Sequence, residues 1–170
     1  MSVRVAVVVG NPRPASRTLT AAVYVARELA GHTPEITVDL ATLGPALLDW
    51  TDPDVAALVD EVGAADLVVV ASPTYKGTYT GLLKLFLDRF AGGTGLRGLA
   101  VPLLLGASPQ HHLAAELTLR PVLTELGATV PGRGLFVIDR HHDDPDAYAG
   151  WLAATSPAVE AYLGTRGEIA

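Results

Sequence analysis

The 170-residue chain contains no cysteine. That excludes a disulfide framework, a thiolate nucleophile and any zinc or iron–sulfur centre held by cysteine. Aromatic residues are scarce at 6%, and charged residues make up only 18%. The 12 basic residues fall short of the 18 acidic ones, leaving a formal net charge of −6. Such a balance argues against a sequence-independent grip on nucleic acid or on an anionic membrane. Long hydrophobic runs are also missing, since the longest, residues 99–107, is too short to span a bilayer. Arg4 sits inside the N-terminal apolar run and no signal-peptide cleavage pattern follows it, so a cytoplasmic protein is expected.

What is present is a hydrophobic half (49%), enough for one domain over residues 1–170 with a sizeable core. Its segments alternate in type. Strands are expected at 3–9, 35–40, 66–71, 100–106 and 130–138. Helices are expected at 19–30, 53–63, 81–90, 113–126 and 147–163. Gly31 should stop the first helix, while Asp52 and Pro53 suit the N-cap and first position of the second. Pro102 fits its strand only near the start or at a bulge, and Pro121 should kink its helix. Helix 81–90 is too apolar for a single core face, which leaves burial within the chain or against another subunit open.

Alternating strands and helices imply an α/β fold, a doubly wound five-stranded parallel sheet with right-handed crossovers and helices on both faces. Ligands of such sheets bind at the carboxyl ends of the strands. Loops 10–18, 73–81 and 106–112 would line that crevice.

The first loop, Gly10-Asn11-Pro12-Arg13-Pro14-Ala15-Ser16-Arg17-Thr18, links a buried strand to a helix start. Unpaired N–H groups and the positive dipole end favour a phosphate there. Arg13 can add a forked contact, while Ser16 and Thr18 either donate hydroxyls or cap the helix. The lysine of the P-loop and the three glycines of Gly-x-Gly-x-x-Gly are both absent. In the second loop Tyr75 suits a flat ring, Lys76 an anion, and Gly77 and Gly81 a close backbone approach. Thr78 or Thr80 would cap the following helix. His111 and His112 read as a polar cap or as a nicotinamide or flavin contact. The run Asp139–Asp146 reads as a solvated loop rather than a metal site, and no Gly-x-Ser-x-Gly elbow occurs.

Taken together, Gly10-Asn11-Pro12-Arg13-x-x-Ser16-x-Thr18, Pro73-Thr74-Tyr75-Lys76 and Gly81-x-Leu83-Lys84 resemble the NAD(P)H-dependent FMN reductases of the flavodoxin-like superfamily. The stretch from His112 to Leu123 is similar to them as well. Reductases that serve two-component monooxygenases look closest. The resemblance implies strand order 2-1-3-4-5 and hydride transfer from NADPH or NADH to N5 of FMN. It implies a homodimer or homotetramer, with a flavin-dependent monooxygenase as the partner. It places Asn11, Arg13, Ser16 and Thr18 on the FMN phosphate, and Pro73, Thr74, Tyr75, Lys76 and Gly77 along the isoalloxazine. Gly106 and Ser108 would close the pyrimidine end. The protein supplies stacking and charge stabilisation, so no catalytic acid, base or nucleophile and no metal ligand is expected. Two departures stand out: Asn11 replaces the usual serine, and the third loop lacks a double glycine. An FMN-retaining quinone, azo or metal reductase and a flavodoxin-type electron carrier are the alternatives.

Overall fold

The computed structural model describes residues 3–169, with side chains described through residue 165. Five parallel strands form one sheet: β1 (Val5–Val9), β2 (Ile36–Asp39), β3 (Leu67–Pro73), β4 (Leu99–Gly106) and β5 (Leu135–Ile138). Their order, β2-β1-β3-β4-β5, is the flavodoxin-like one. The helices are α1 (Arg17–Ala30), α2 (Pro53–Gly63), α3 (Gly81–Leu87), α4 (Arg120–Glu125) and α5 (Asp146–Ile169).

β1 is buried at every residue because both sheet faces are covered. Val5, Val7 and Val9 pack with Ala21, Ala22 and Val25 of α1 and Val159 of α5. Ala6 and Val8 face the other layer, with Val55 of α2, Phe86 of α3 and Leu123 of α4. Small alanines on α1 bring that helix close to the sheet. The caps follow from local chemistry: Asp52 accepts the N–H groups of Asp54 and Val55, both at 3.0 Å. Gly31 adopts φ 76° and donates to the Arg27 carbonyl.

Four details differ from expectation. Pro102 lies fourth in β4, opposite Val70 of β3. Leu99 donates towards β3 and Ala100 towards Thr129, so Pro102 turns its missing N–H away from β3. On that other side, pairing with β5 begins only at Leu103. The proline therefore removes no ladder bond.

Instead of one α-helix kinked at Pro121, a π-helical turn over Ala115–Leu119 leads into α4. Arg120 N–H reaches back five residues to the Ala115 carbonyl, and Pro121 falls in the first turn of α4, where a missing donor does little harm. The last strand starts at Leu135 because residues 130–134 are held elsewhere. Arg120 Nη1 donates to the Gly132 carbonyl at 2.7 Å, and Gly134 N–H donates to Glu116 Oε2 at 2.6 Å. A Cβ on Gly134 would sit 2.5 Å from the Glu116 nitrogen, so that approach requires glycine. Finally, α5 runs past residue 163 to Ile169 and tolerates Pro157 on an exposed turn.

Within α3, Leu83, Phe86 and Leu87 are buried in the chain's own core, while Leu85 remains 37% exposed.

Candidate functional site

The carboxyl ends of β1, β3 and β4 converge on a cleft of about 600 Å³. Its floor depends on a close approach between Gly10 and α3. A Cβ at Gly10 would lie 2.4 Å from that of Leu83. Thr80 fastens the junction: its hydroxyl donates to the Gly10 carbonyl at 2.6 Å and accepts the Leu83 N–H at 3.1 Å.

At one end of the cleft, loop 10–18 folds around Asn11. The Asn11 amide donates to Thr18 Oγ1 at 3.0 Å, and its carbonyl accepts the Arg13 N–H at 2.9 Å. Thr18 is thereby spent as a strut. It is buried and does not line the cleft. Ser16 is the N-cap of α1, its hydroxyl oxygen accepting the Leu19 N–H at 3.3 Å while the hydroxyl proton stays available. The N–H groups of Ser16, Arg17 and Thr18 have no acceptor among the described residues, and no acidic residue stands in the first turn of α1. The exposed Arg13 guanidinium likewise has no ion-pair partner among the described residues. This end is a concentration of unsatisfied donors and positive charge.

Two carboxylates flank it. Asp39, at the end of β2, accepts the N–H of Ala15 at 2.8 Å and so holds that residue at φ 51°. Its other oxygen is buried without a partner. Asp139, just after β5, lines the cleft and binds Arg17 Nη1 at 2.6 Å.

The opposite end is flatter and less polar. Pro73, Thr74, Tyr75, Leu105, Gly106 and Ala107 form it. Thr74 N–H bonds to the Leu105 carbonyl at 2.7 Å, whereas Thr74 Oγ1 is buried and unpartnered. Tyr75 is 52% exposed at the rim. A Cβ on Gly106 would meet the Phe136 ring at 2.5 Å, so the strand end is kept bare.

Lys76 and Gly77 are the central residues of a tight turn with φ values of 55° and 83°. Reciprocal bonds between Tyr75 and Thr78, at 2.8 and 3.3 Å, close it, which is a type I′ geometry. The turn carries Lys76 and Gly77 away from the cleft lining, and Ser108 also lies outside it, its hydroxyl on Gln110 at 3.4 Å. Asn11, Arg13, Ser16, Pro73, Thr74, Tyr75 and Gly106 thus share one cleft, whereas Thr18, Lys76, Gly77 and Ser108 do not line it.

Arg17, Asp39 and Asp139 were not singled out from the sequence. A signal existed for Asp39 and Asp139, since each lies at the carboxyl end of a strand. His111 packs beside Gly77, and His112 Nδ1 donates to the Pro109 carbonyl at 3.0 Å. Among the described residues no three His, Cys, Asp or Glu side chains form a metal-binding group. No helix among them is long and apolar enough to cross a membrane.

The sequence profile of the NADPH-dependent FMN reductase family matches residues 3–143, a span that contains every residue lining the cleft. The chain belongs to this family. An FMN reductase (NADPH) of Escherichia coli K12 is 33% identical over 148 residues, covering 82% of this chain and 78% of that protein. The NADH-dependent FMN reductase SfnF of Pseudomonas fluorescens Pf0-1 is 33% identical over 146 residues, covering 79% and 75%. The apo crystal structure of the NADH:FMN oxidoreductase EMOB superposes with a TM-score of 0.79 at 29% identity, covering 94% of this chain and 88% of that one. As a member of the FMN reductase family, the protein is an oxidoreductase with a flavodoxin-like fold.

Proposed function

We propose that the protein reduces FMN with NADPH or NADH, and that it binds FMN in this cleft as a dissociable substrate for delivery to a flavin-dependent monooxygenase. The observation that carries the reading is the polarity of the cleft. Unpaired N–H groups and a free arginine crowd one end, and an aromatic rim with a bare strand end forms the other. A phosphate and a flat ring joined by a flexible chain match those two ends in kind. The volume lies within the roughly 300–1,000 Å³ usual for cofactor sites.

In this reading Arg13, the Ser16 hydroxyl and the first N–H groups of α1 hold the phosphate. Tyr75 and Gly106 border the ring, and the unpartnered Thr74 hydroxyl offers it a polar contact. Bound FMN supplies a two-electron acceptor for a hydride from the nicotinamide nucleotide. The chain's own work is to fix the flavin, exclude water from one ring face and leave the other face open to the second nucleotide. No cleft side chain is assigned a proton transfer.

The monooxygenase partner rests on the resemblance of the loop motifs to reductases that serve such enzymes, and the homodimer or homotetramer has the same support. The test is anaerobic oxidation of NADPH and of NADH, with and without added FMN. Oxidation that saturates with added FMN is expected. Oxidation independent of added FMN would favour a reductase that retains its flavin, and none with either nucleotide would overturn the enzymatic reading.

A further inference from the structure

The phosphate end of the cleft contains a contradiction. The N–H groups of Ser16, Arg17 and Thr18 and the Arg13 guanidinium stand open to an anion, yet one carboxylate of the chain already engages Arg17 beside them. Asp139 Oδ2 lies 2.6 Å from Arg17 Nη1, and both residues line the cleft together with Arg13 and Ser16. We propose that Asp139 is a built-in competitor of the flavin phosphate, which engages Arg17 and keeps FMN affinity low enough for the flavin to leave after reduction. The inference rests on the reading of the cleft as an FMN site.

Three observations support a competing role over a purely structural one. The pair is solvent-accessible, with side-chain exposures of 60% for Arg17 and 41% for Asp139, so it adds little to fold stability and opens easily. Arg17 and Asp139 are separated by 122 residues, and the contact joins the start of α1 to the segment after β5 among the residues that line the cleft. The structural carboxylate at this end is a different one. Asp39 holds the Ala15 N–H and lies outside the cleft lining. Asp139 binds no N–H of the phosphate loop, and its carboxylate acts on that loop only through Arg17.

The electrostatics give the direction. A phosphate near Arg13 and the start of α1 carries up to two negative charges, and Asp139 adds a third within the same small region. Two like charges a few ångström apart at a wet surface repel enough to weaken binding several-fold. A phosphate that captures Arg17 must also break its pair with Asp139. Both effects lower affinity for FMN and neither touches a flavin that lacks the phosphate.

The test is a titration of the wild-type protein and of Asp139→Asn with FMN and with riboflavin, followed by flavin fluorescence at low and high salt. Asparagine keeps a hydrogen-bond partner for Arg17 and removes the charge. The substitution is expected to tighten FMN by roughly threefold to tenfold at low salt, less at high salt, and to leave riboflavin unchanged. Arg17→Gln should loosen FMN. Equal or weaker FMN affinity in Asp139→Asn would overturn the proposal, weaker affinity meaning that the carboxylate positions Arg17 for the ligand. Equal tightening of riboflavin would overturn it too, because the effect would not lie at the phosphate. If wild type bound no FMN at all, the functional reading would fall and this proposal with it.

Discussion

The Thr80 hydroxyl donates to the Gly10 carbonyl at 2.6 Å, joining the end of β1 to the start of α3 across 70 residues of chain. The same oxygen accepts the Leu83 N–H, while the Thr80 N–H donates to Ser72 Oγ at 3.0 Å. One buried side chain thus caps a helix, satisfies a strand terminus and sets the spacing between the two loops that border the cleft.

Thr80→Val keeps the shape and removes the hydroxyl, leaving the Gly10 carbonyl and the Leu83 N–H without this partner. A loss of ~1–3 kcal/mol in chemical denaturation is expected, with Thr80→Ser recovering most of it. A change of under about 0.5 kcal/mol would show that water or a shifted helix replaces these bonds.

Lys76 occupies the left-handed region at φ 55° in the first central position of its turn. A lysine there bears a steric penalty that asparagine largely avoids. Lys76→Asn is therefore expected to raise stability by ~0.5–1 kcal/mol, read as a higher denaturation midpoint. A destabilised variant would mean that the lysine stem contributes packing that outweighs the backbone strain.

Tyr148 is fully buried against Tyr24, with ring centroids 4.8 Å apart, and its hydroxyl donates to the His142 carbonyl at 2.6 Å. Burial first, then the neighbouring Tyr24 and Asp143, push its pKa up from 10.0 to about 12. A folded-state pKa above the unfolded one gives stability that is complete below pH 10 and is lost as the pH rises towards 12. Tyr148→Phe should cost ~1 kcal/mol near neutrality and flatten the alkaline loss of stability. An unchanged alkaline limb would assign that loss to other groups.

Much of this architecture was legible because its causes are local. Asp52 with Pro53, Ser16 and Gly31 each end a helix by chemistry confined to one turn, and the apolar runs of β1 and β3 show that both faces are covered. The π turn was hidden because Glu116 within it is held by Gly134, 18 residues further along the chain, and because Pro121 follows it. The same holds for the start of β5, displaced by the Arg120 contact to Gly132. At the cleft, Arg13, Tyr75 and Gly106 were readable from loop position. Lys-Gly is a weak sign of a type I′ turn, and only the backbone shows that Lys76 and Gly77 form its centre, outside the residues that line the cleft. Thr18 reads as a ligand hydroxyl in sequence, and in the fold it braces Asn11. Asp39 gains meaning from strand order, since β2 lies beside β1. Asp139 follows the far edge strand and reaches the start of α1 because α1 packs against the segment after β5, Tyr24 meeting Tyr148 and Arg17 meeting Asp139.

The central claim is that a phosphate-bearing flavin lies with its phosphate at Arg13 and the start of α1, and the direct measurement is FMN affinity in wild type and Arg13→Ala. A charge-assisted contact predicts a loss of ~1.5–3 kcal/mol, or roughly 10- to 150-fold in Kd, with riboflavin affinity unaltered. Equal FMN affinity in the two proteins would contradict the placement of the flavin in this cleft.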